Sequence, residues 1–325
     1  MRAAFYEANG PADAVLKVGE VATPEPGPGE VRVRLKTSGV NPSDVKSRMG
    51  LTRKMSFPRV IPHSDGAGSI DAVGDGVAQS RIGERVWIWN GQWKRPFGTA
   101  AEYITLPSAQ AVRLPDKVSF EAGACLGIPA MTAFHAIELA AATKETTVLV
   151  SGGAGSVSQY VIEFAKARGA KVITTISSPE KAKIARECGA DHTIDYKREN
   201  VGERVAELTD KRGVDAIIEM DIAANAKLIP TVLKPKGSVV IYGTGAMEAT
   251  IPAQWCLVSS IRLQFFLVYE LDPTRREHVV HAVNRALEHG TLSNRVAPSF
   301  PLDKIVTAHQ AVEDASATGN VIVAL

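Results

Sequence analysis

Cysteine is scarce in this chain. Three residues in 325, Cys125, Cys188 and Cys256, are odd in number and too widely spread for a disulfide framework or a zinc-ribbon spacing. That argues against a small stapled extracellular scaffold, and a cytoplasmic setting is expected. An excess of one charge is also missing: 37 Lys and Arg stand against 35 Asp and Glu, a net charge of +2. With no basic stripe interleaved with aromatics, no nucleic acid is expected as a partner. No apolar run approaches the roughly 18 residues of a membrane helix. Met1-Arg2-Ala3-Ala4-Phe5 reads as an immediate strand, so neither membrane insertion nor a signal peptide is expected. Internal repeats and low-complexity tracts are absent. What remains is a globular composition, 45% apolar and 22% charged, with length enough for two domains.

Up to about residue 120 the chain reads as short strands punctuated by Gly and Pro. Val31, Val33 and Leu35 alternate with Arg32, Arg34 and Lys36, which predicts a strand with one wet face. A helix near Asn41–Met49 is the one interruption in a compact β-rich domain. From about Glu121 the pattern changes to helix–strand alternation. Residues Ala122 to Ala142 read as helix broken at Gly127-Ile128-Pro129, and strands are expected at Thr146–Val150, Lys171–Ile176, His192–Tyr196, Val214–Met220, Ser238–Tyr242 and Leu263–Val268. That is an α/β domain with a doubly wound parallel sheet of about six strands. An amphipathic helix at Arg276–Glu288 follows. A terminal strand, Val321–Ala324, is expected to pair back onto the first domain.

The chemistry-bearing stretch is the first βαβ unit of the second half. An apolar strand ending at Val150 runs into Ser151-Gly152-Gly153-Ala154-Gly155-Ser156, and a helix begins whose apolar face carries Val157, Val161, Phe164 and Ala165. The first N–H groups of such a helix lack intrahelical partners and sit at the positive end of its dipole, so a pyrophosphate is suited to that place. The spacing Gly152-x-x-Gly155-x-x-Ser158 puts Ser where a dinucleotide fingerprint has its third Gly, the position of closest helix–strand packing. About 20 residues on, where an NAD site carries Asp or Glu, the chain reads Thr175-Ile176-Ser177-Ser178-Pro179, with Lys181 following. Ser177, Ser178 and Lys181 suit a ribose 2′-phosphate. Ser178 as helix N-cap, Pro179 at the first helical position and Lys181 on a wet face explain the same letters.

Taken in order, the motifs resemble the medium-chain dehydrogenase/reductase superfamily, and within it the zinc-free NADPH:quinone oxidoreductase, zeta-crystallin-like branch. The residues that carry the likeness are Gly39-Val40-Asn41-Pro42-Ser43-Asp44, Ser64-Asp65-Gly66-Ala67-Gly68, Gly83-Glu84-Arg85-Val86, Gly127-Ile128-Pro129 with Thr132-Ala133, and Ala317-Thr318-Gly319. The resemblance implies a GroES-like β-rich catalytic domain at 1–122 and 271–325, around a Rossmann dinucleotide-binding domain at 123–270. It implies NADP(H) as cofactor. The cofactor set is then Thr132, Gly152, Ala154, Gly155, Ser156, Val157, Ser177, Ser178, Lys181, Tyr196, Gly243, Thr244 and Phe266.

Zinc dehydrogenases of the superfamily use a Cys and a His where this chain has Asn41 and Ser64, and they carry a four-cysteine lobe that this chain lacks. Asn and Ser are poor zinc ligands beside a thiolate and an imidazole, so no metal is expected. Without a Lewis acid the acceptor must already be electrophilic: a quinone or related α,β-unsaturated carbonyl. Asn41 resembles the family's active-site asparagine and is a candidate donor to the substrate oxygen; a turn or helix-capping Asn before Pro42 fits equally. Asp44 and Arg48 match the family pattern and also fit an ion pair at four-residue spacing. His63 is read as a cleft or loop histidine. Lys46 stands where such reductases often have Tyr, and Asn320 where they often have Lys. Trp87, Trp89 and Trp93 form a cluster at a cleft edge or in the core. Two alternatives remain: an enoyl-thioester reductase, or a crystallin-like RNA-binding or structural protein. Leu263–Val268, apolar on both faces and last in the sheet, predicts a homodimer or dimer of dimers.

Overall fold

The computed structural model describes residues 1–52, 54–293 and 295–325. The chain divides into two units: Met1–Ile128 with the C-terminal segment that follows Ser293, and Pro129–Ser293. Boundaries at 122 and 270 were expected; both lie further along, for local reasons. Ile128 is held in the first unit by its N–H, which donates to buried Asp65. Helix Pro273–Glu288 belongs to the second unit because Val279 and Val283 are fully buried and His278 pairs with Glu138 at 2.7 Å.

The first unit is built on an eleven-residue strand, Glu30–Val40, whose alternating Val31, Val33 and Leu35 are buried while Arg34 and Lys36 face water. It pairs antiparallel with Asp65–Val73, Tyr103–Pro107 and the terminal strand Asn320–Ala324. Arg85–Ile88 and Ala111–Arg113 extend the sheet on one side, and Val296–Pro301 lies beyond the terminal strand on the other. The predicted return of the C-terminus to the first domain is thus realised in the register Val321 to Val40. Trp87 is fully buried on strand Arg85–Ile88, so the core reading holds for that residue; Trp89 lies past the strand end and is half-buried.

The second unit is a six-stranded parallel sheet in the spatial order His192–Asp195, Lys171–Ile176, Thr147–Val150, Val214–Glu219, Leu233–Ile241, Arg262–Phe265. The order reverses between Thr147–Val150 and Val214–Glu219, which is the switch point where α/β sheets open a crevice beyond the strand ends. The last strand is shorter than Leu263–Val268: it stops at Phe265, Phe266 turns its ring edge-on to His135 at 4.8 Å, and Val268 and Tyr269 bury in a 3-10 turn. It is an edge strand, as expected. The helical break at Gly127-Ile128-Pro129 is a π-turn over Leu126–Ala130, followed by helix Met131–Leu139.

Candidate functional sites, one in each unit

In the second unit the Gly-rich turn has the geometry of a phosphate cradle. Gly152 adopts φ +65°, a conformation open to Gly at little cost. Its N–H donates to Thr175 Oγ1 at 3.0 Å, and the Gly153 N–H to Thr175 O at 2.9 Å, tying the turn to the neighbouring strand. A Cβ on Gly153 would lie 2.3 Å from Thr174 Oγ1. Helix Ser156–Ala167 starts at Gly155 with no side-chain cap among the described residues, which leaves its leading N–H groups open to an anion. Ala154 is buried and Ser156 and Val157 half-buried at this edge. Ser158, at the third-glycine position, is buried and donates to Ser151 O at 2.9 Å; a hydroxyl bond to the strand end takes the place of bare close packing.

Around this turn the structure assembles most of the predicted set. A Cβ on Gly243 would meet Met220 O at 2.2 Å and one on Gly152 would meet Met220 Sδ at 2.7 Å, so Gly152, Met220 and Gly243 are contiguous at the switch point. Thr244 follows, its hydroxyl donating to Ala246 O. The Tyr196 N–H donates to Ile176 O at 3.2 Å, which brings Tyr196, 52% exposed, beside Ser177. Ser178 does cap the next helix, accepting from the Lys181 N–H at 3.3 Å. Its hydroxyl also serves Glu180, whose carboxyl is drawn below its ordinary range by its own backbone N–H and by Ser178. Glu180 is thus a carboxylate close to the place, about 20 residues past the glycines, where an NAD site carries one. Thr132 is buried near the start of helix Met131–Leu139, one turn from His135 and so from Phe266. Sequence reasoning also missed Thr175 and Glu219. The latter is a buried carboxylate accepting from Ser151 Oγ (2.6 Å), Asp221 N (2.6 Å) and Asn225 Nδ2 (2.9 Å) just below the switch point. Only proximity across strands reveals it.

In the first unit the candidate residues stand in a buried polar core. Asn41 is the N-cap residue of helix Pro42–Met49, and its N–H donates to Asp44 Oδ2 at 2.8 Å. Its side-chain Nδ2 donates to Asp65 Oδ2 at 2.9 Å. Both readings of Asn41 therefore start from one fixed amide. Arg48, fully buried, turns to Glu313, to Gly10 O and to His309 Nδ1 (3.4 Å), so its charge is matched by Glu313 rather than by the predicted helical pairing. Asn320 is buried in the terminal strand, its amide donating to Arg295 O.

His63 does lie in the loop before strand Asp65–Val73, but it faces no cleft: it is sealed, 0% exposed, at φ +76°. Its partners fix every proton around it. Thr99 Oγ1 donates to Asp65 O (2.5 Å), so Ser38 Oγ must donate to Thr99 (2.8 Å) and accept from His63 Nδ1–H (2.8 Å). His63 Nε2 is then an acceptor, for His309 Nε2–H at 2.9 Å, and His309 Nδ1 accepts from Arg48 Nε. Two ring nitrogens at 2.9 Å have room for one proton between them, so both imidazoles are neutral. Burial, which pulls His63 down to about 3 and His309 well below the usual histidine range, acts in the same sense. The chain of bonds ends on a backbone carbonyl, which cannot pass a proton on: it orders this core and does not conduct.

The family models agree with this division. Residues 27–116 match the alcohol dehydrogenase GroES-like domain, and 156–285 the zinc-binding dehydrogenase domain. The Pseudomonas aeruginosa quinone oxidoreductase is 34% identical over 73% of this chain and 71% of its own length. The human quinone oxidoreductase is 30% identical over 98% of this chain and 96% of its own. The chain belongs to the medium-chain dehydrogenase/reductase superfamily, in its quinone oxidoreductase branch. Among solved structures, an NAD-dependent alcohol dehydrogenase superposes with a TM-score of 0.91 at 28% identity, and a mycobacterial relative complexed with NADPH with 0.89 at 25%, each over the whole of both chains. The donors at the corresponding positions differ from those that the domain's description calls for. At the ligand positions Asn41 Nδ2 is a donor and Ser64 an alcohol, and neighbouring His63 has both nitrogens engaged. These donors do not fit zinc.

Proposed function

We propose that the protein is an NADPH-dependent, zinc-independent oxidoreductase that transfers hydride to quinones or related α,β-unsaturated carbonyl compounds. The observation that carries the cofactor side is the uncapped helix start at Gly155, beside a strand end that offers hydroxyls and a lysine. NADP(H) is the cofactor, held through its pyrophosphate by the Gly152–Val157 turn. The 2′-phosphate is assigned to Ser177, Lys181 and Tyr196, with Ser178 shaping the helix start. Gly243 and Thr244 line the continuation of the cradle, and Thr132 and Phe266 are placed at the nicotinamide end.

When bound, NADPH supplies the hydride; the protein's own task is orientation and charge. Asn41 is the donor assigned to the acceptor oxygen, where negative charge grows as hydride arrives. A fixed donor of this kind is worth about 2.7–4 kcal/mol of barrier in acyl-transfer enzymes. Asp44 holds the Asn41 backbone in place and so acts on the donor, not on the substrate. Asn and Ser in the ligand positions supply no Lewis acid, and one amide hydrogen bond polarises an unactivated ketone only weakly, which favours acceptors that are electrophilic already. The test is steady-state oxidation of NADPH with 1,4-benzoquinone, an enone, an acyl thioester and a simple ketone, run on wild type and Asn41→Ala. Turnover of the quinone or the enone, lowered at least tenfold in kcat by the substitution, is expected.

The same reading includes a two-fold assembly. The edge strand Arg262–Phe265 leaves Phe265 64% exposed, and the nearby helix Ala253–Val258 leaves Leu257 78% exposed. An apolar, unpaired parallel edge is closed by pairing with a second copy across a two-fold axis.

A further inference from the structure

We propose that Asp65 is a positioning residue which acts as a neutral carboxylic acid, locking the Asn41 amide in the orientation that donates to the acceptor. This deepens the assignment of Asn41 made above and rests on it. Asp65 is 0% exposed. Its Oδ2 accepts twice, from Asn41 Nδ2 at 2.9 Å and from Ile128 N at 3.0 Å. Among the described residues, its buried Oδ1 has no partner. It lies against Gly127, where an added Cβ would come within 2.3 Å of it.

An ionised carboxylate would leave one charged oxygen bare in this setting, a far greater cost than a bare hydroxyl. The neutral acid puts its proton on Oδ1 and keeps Oδ2 as the double acceptor. Among the described residues, the ionisable groups that act on Asp65 are Asp44, on the adjoining helix, and buried Cys125; neither is a cation, and burial, with Asp44 in the same sense, raises the Asp65 pKa well above the carboxylate range. Neutrality has a catalytic consequence. A full negative charge next to the Asn41 amide would oppose the oxyanion that this amide is meant to stabilise, whereas a neutral acid fixes the amide without that repulsion. It also removes the amide-flip ambiguity, because only the NH2 end can face an accepting Oδ2. Gly127 follows from the same geometry, since any side chain there would push Oδ1 aside.

Two measurements separate this claim from the assignment on which it rests. In full-length protein, the Asp65 carboxyl carbon should show the chemical shift of a protonated acid at pH 7, and the Asn41 side-chain amide should exchange slowly; neither depends on activity. In kinetics with NADPH and 1,4-benzoquinone, Asp65→Leu should lower kcat at least tenfold with NADPH affinity unchanged, and Asp65→Asn, a neutral acceptor of the same shape, should recover most of it. A carboxyl that titrates in the ordinary Asp range, or an Asp65→Asn variant no better than a folded Asp65→Leu, overturns the proposal. Should Asp65→Leu fail to fold, the carboxyl shift and the Asp65→Asn rate decide it. A protonated, amide-locking Asp65 in a protein that reduces no electrophilic acceptor would sink the Asn41 assignment and leave the locking intact.

Discussion

Replacing His309 by Gln should flatten the acid dependence of stability by about 2 kcal/mol. The glutamine amide can still donate to His63 Nε2 and its oxygen can still accept from Arg48, so the bonds of the core survive while one titratable group is lost. In the folded protein His309 lies well below the ordinary histidine value of 6.5, because it is buried and faces His63 and Arg48. Unfolded, it titrates normally. The folded value is depressed, so the unfolded state binds the extra proton, and stability present above pH 6.5 drains away as the pH falls. For one such histidine the loss between pH 7.5 and 5.0 is about 2 kcal/mol, from 1.36 kcal/mol per pH unit once well below 6.5. Asp65, whose folded value is raised, works in the opposite sense across the same window, and His135 and His192 in the same sense as His309. Those contributions are common to wild type and variant and cancel in the difference. Urea unfolding at pH 7.5 and 5.0 measures it. Fluorescence suits the purpose because three of the four tryptophans, Trp87, Trp89 and Trp93, lie in the first unit. Wild-type and variant stabilities that fall in parallel would refute the neutral histidine pair.

Other consequences can be checked separately. Lys181→Ala should weaken NADPH about tenfold, as expected for one charge-assisted bond to a partly exposed phosphate, and leave NADH nearly unchanged; Glu180→Gln should do the reverse and tighten NADPH. Equal effects on both cofactors, measured by fluorescence titration, would place these residues outside the phosphate site. Gly153→Ala forces a methyl against Thr174 Oγ1, which is itself bonded to Val150 O at 2.6 Å, and should cost about 1–3 kcal/mol of stability; an unchanged Tm would show that the turn can yield. Phe265→Lys should lower the mass seen by light scattering to that of one chain, and a wild type already monomeric at micromolar concentration would contradict the two-fold edge.

Much of this was legible in the residues, because the strongest signals are local. The Lys171–Ile176 strand and the helix behind Gly155 follow from apolar periodicity and glycine placement alone, and both stand as read. The alternation of Val31, Val33 and Leu35 likewise marked the strand around which the first unit is built. What escaped was whatever depends on the far end of the chain. His63 and His309 are 246 residues apart and stand at 2.9 Å, so nothing near His63 marks it as a core residue. Arg48 looked like a helical partner for Asp44, yet its counter-charge Glu313 lies on the last helix, Ile305–Glu313. Glu180 stands in the open between Pro179 and Lys181, but a carboxylate in the first turn of a helix usually serves the helix, so its letters alone do not mark it. The domain boundary moved for the same reason: amphipathicity predicts that a helix packs, not on which unit.

The central claim is hydride transfer from NADPH to an electrophilic acceptor without zinc, and one assay tests it most directly. Protein dialysed against a chelator is mixed with NADPH or NADH and a panel of quinones, enones, acyl thioesters and simple ketones, and loss of the reduced cofactor is followed. Turnover with NADPH well above that with NADH, on quinones or enones and not on simple ketones, is the predicted result. Activity confined to simple alcohols and ketones, or restored only by added zinc, would contradict it.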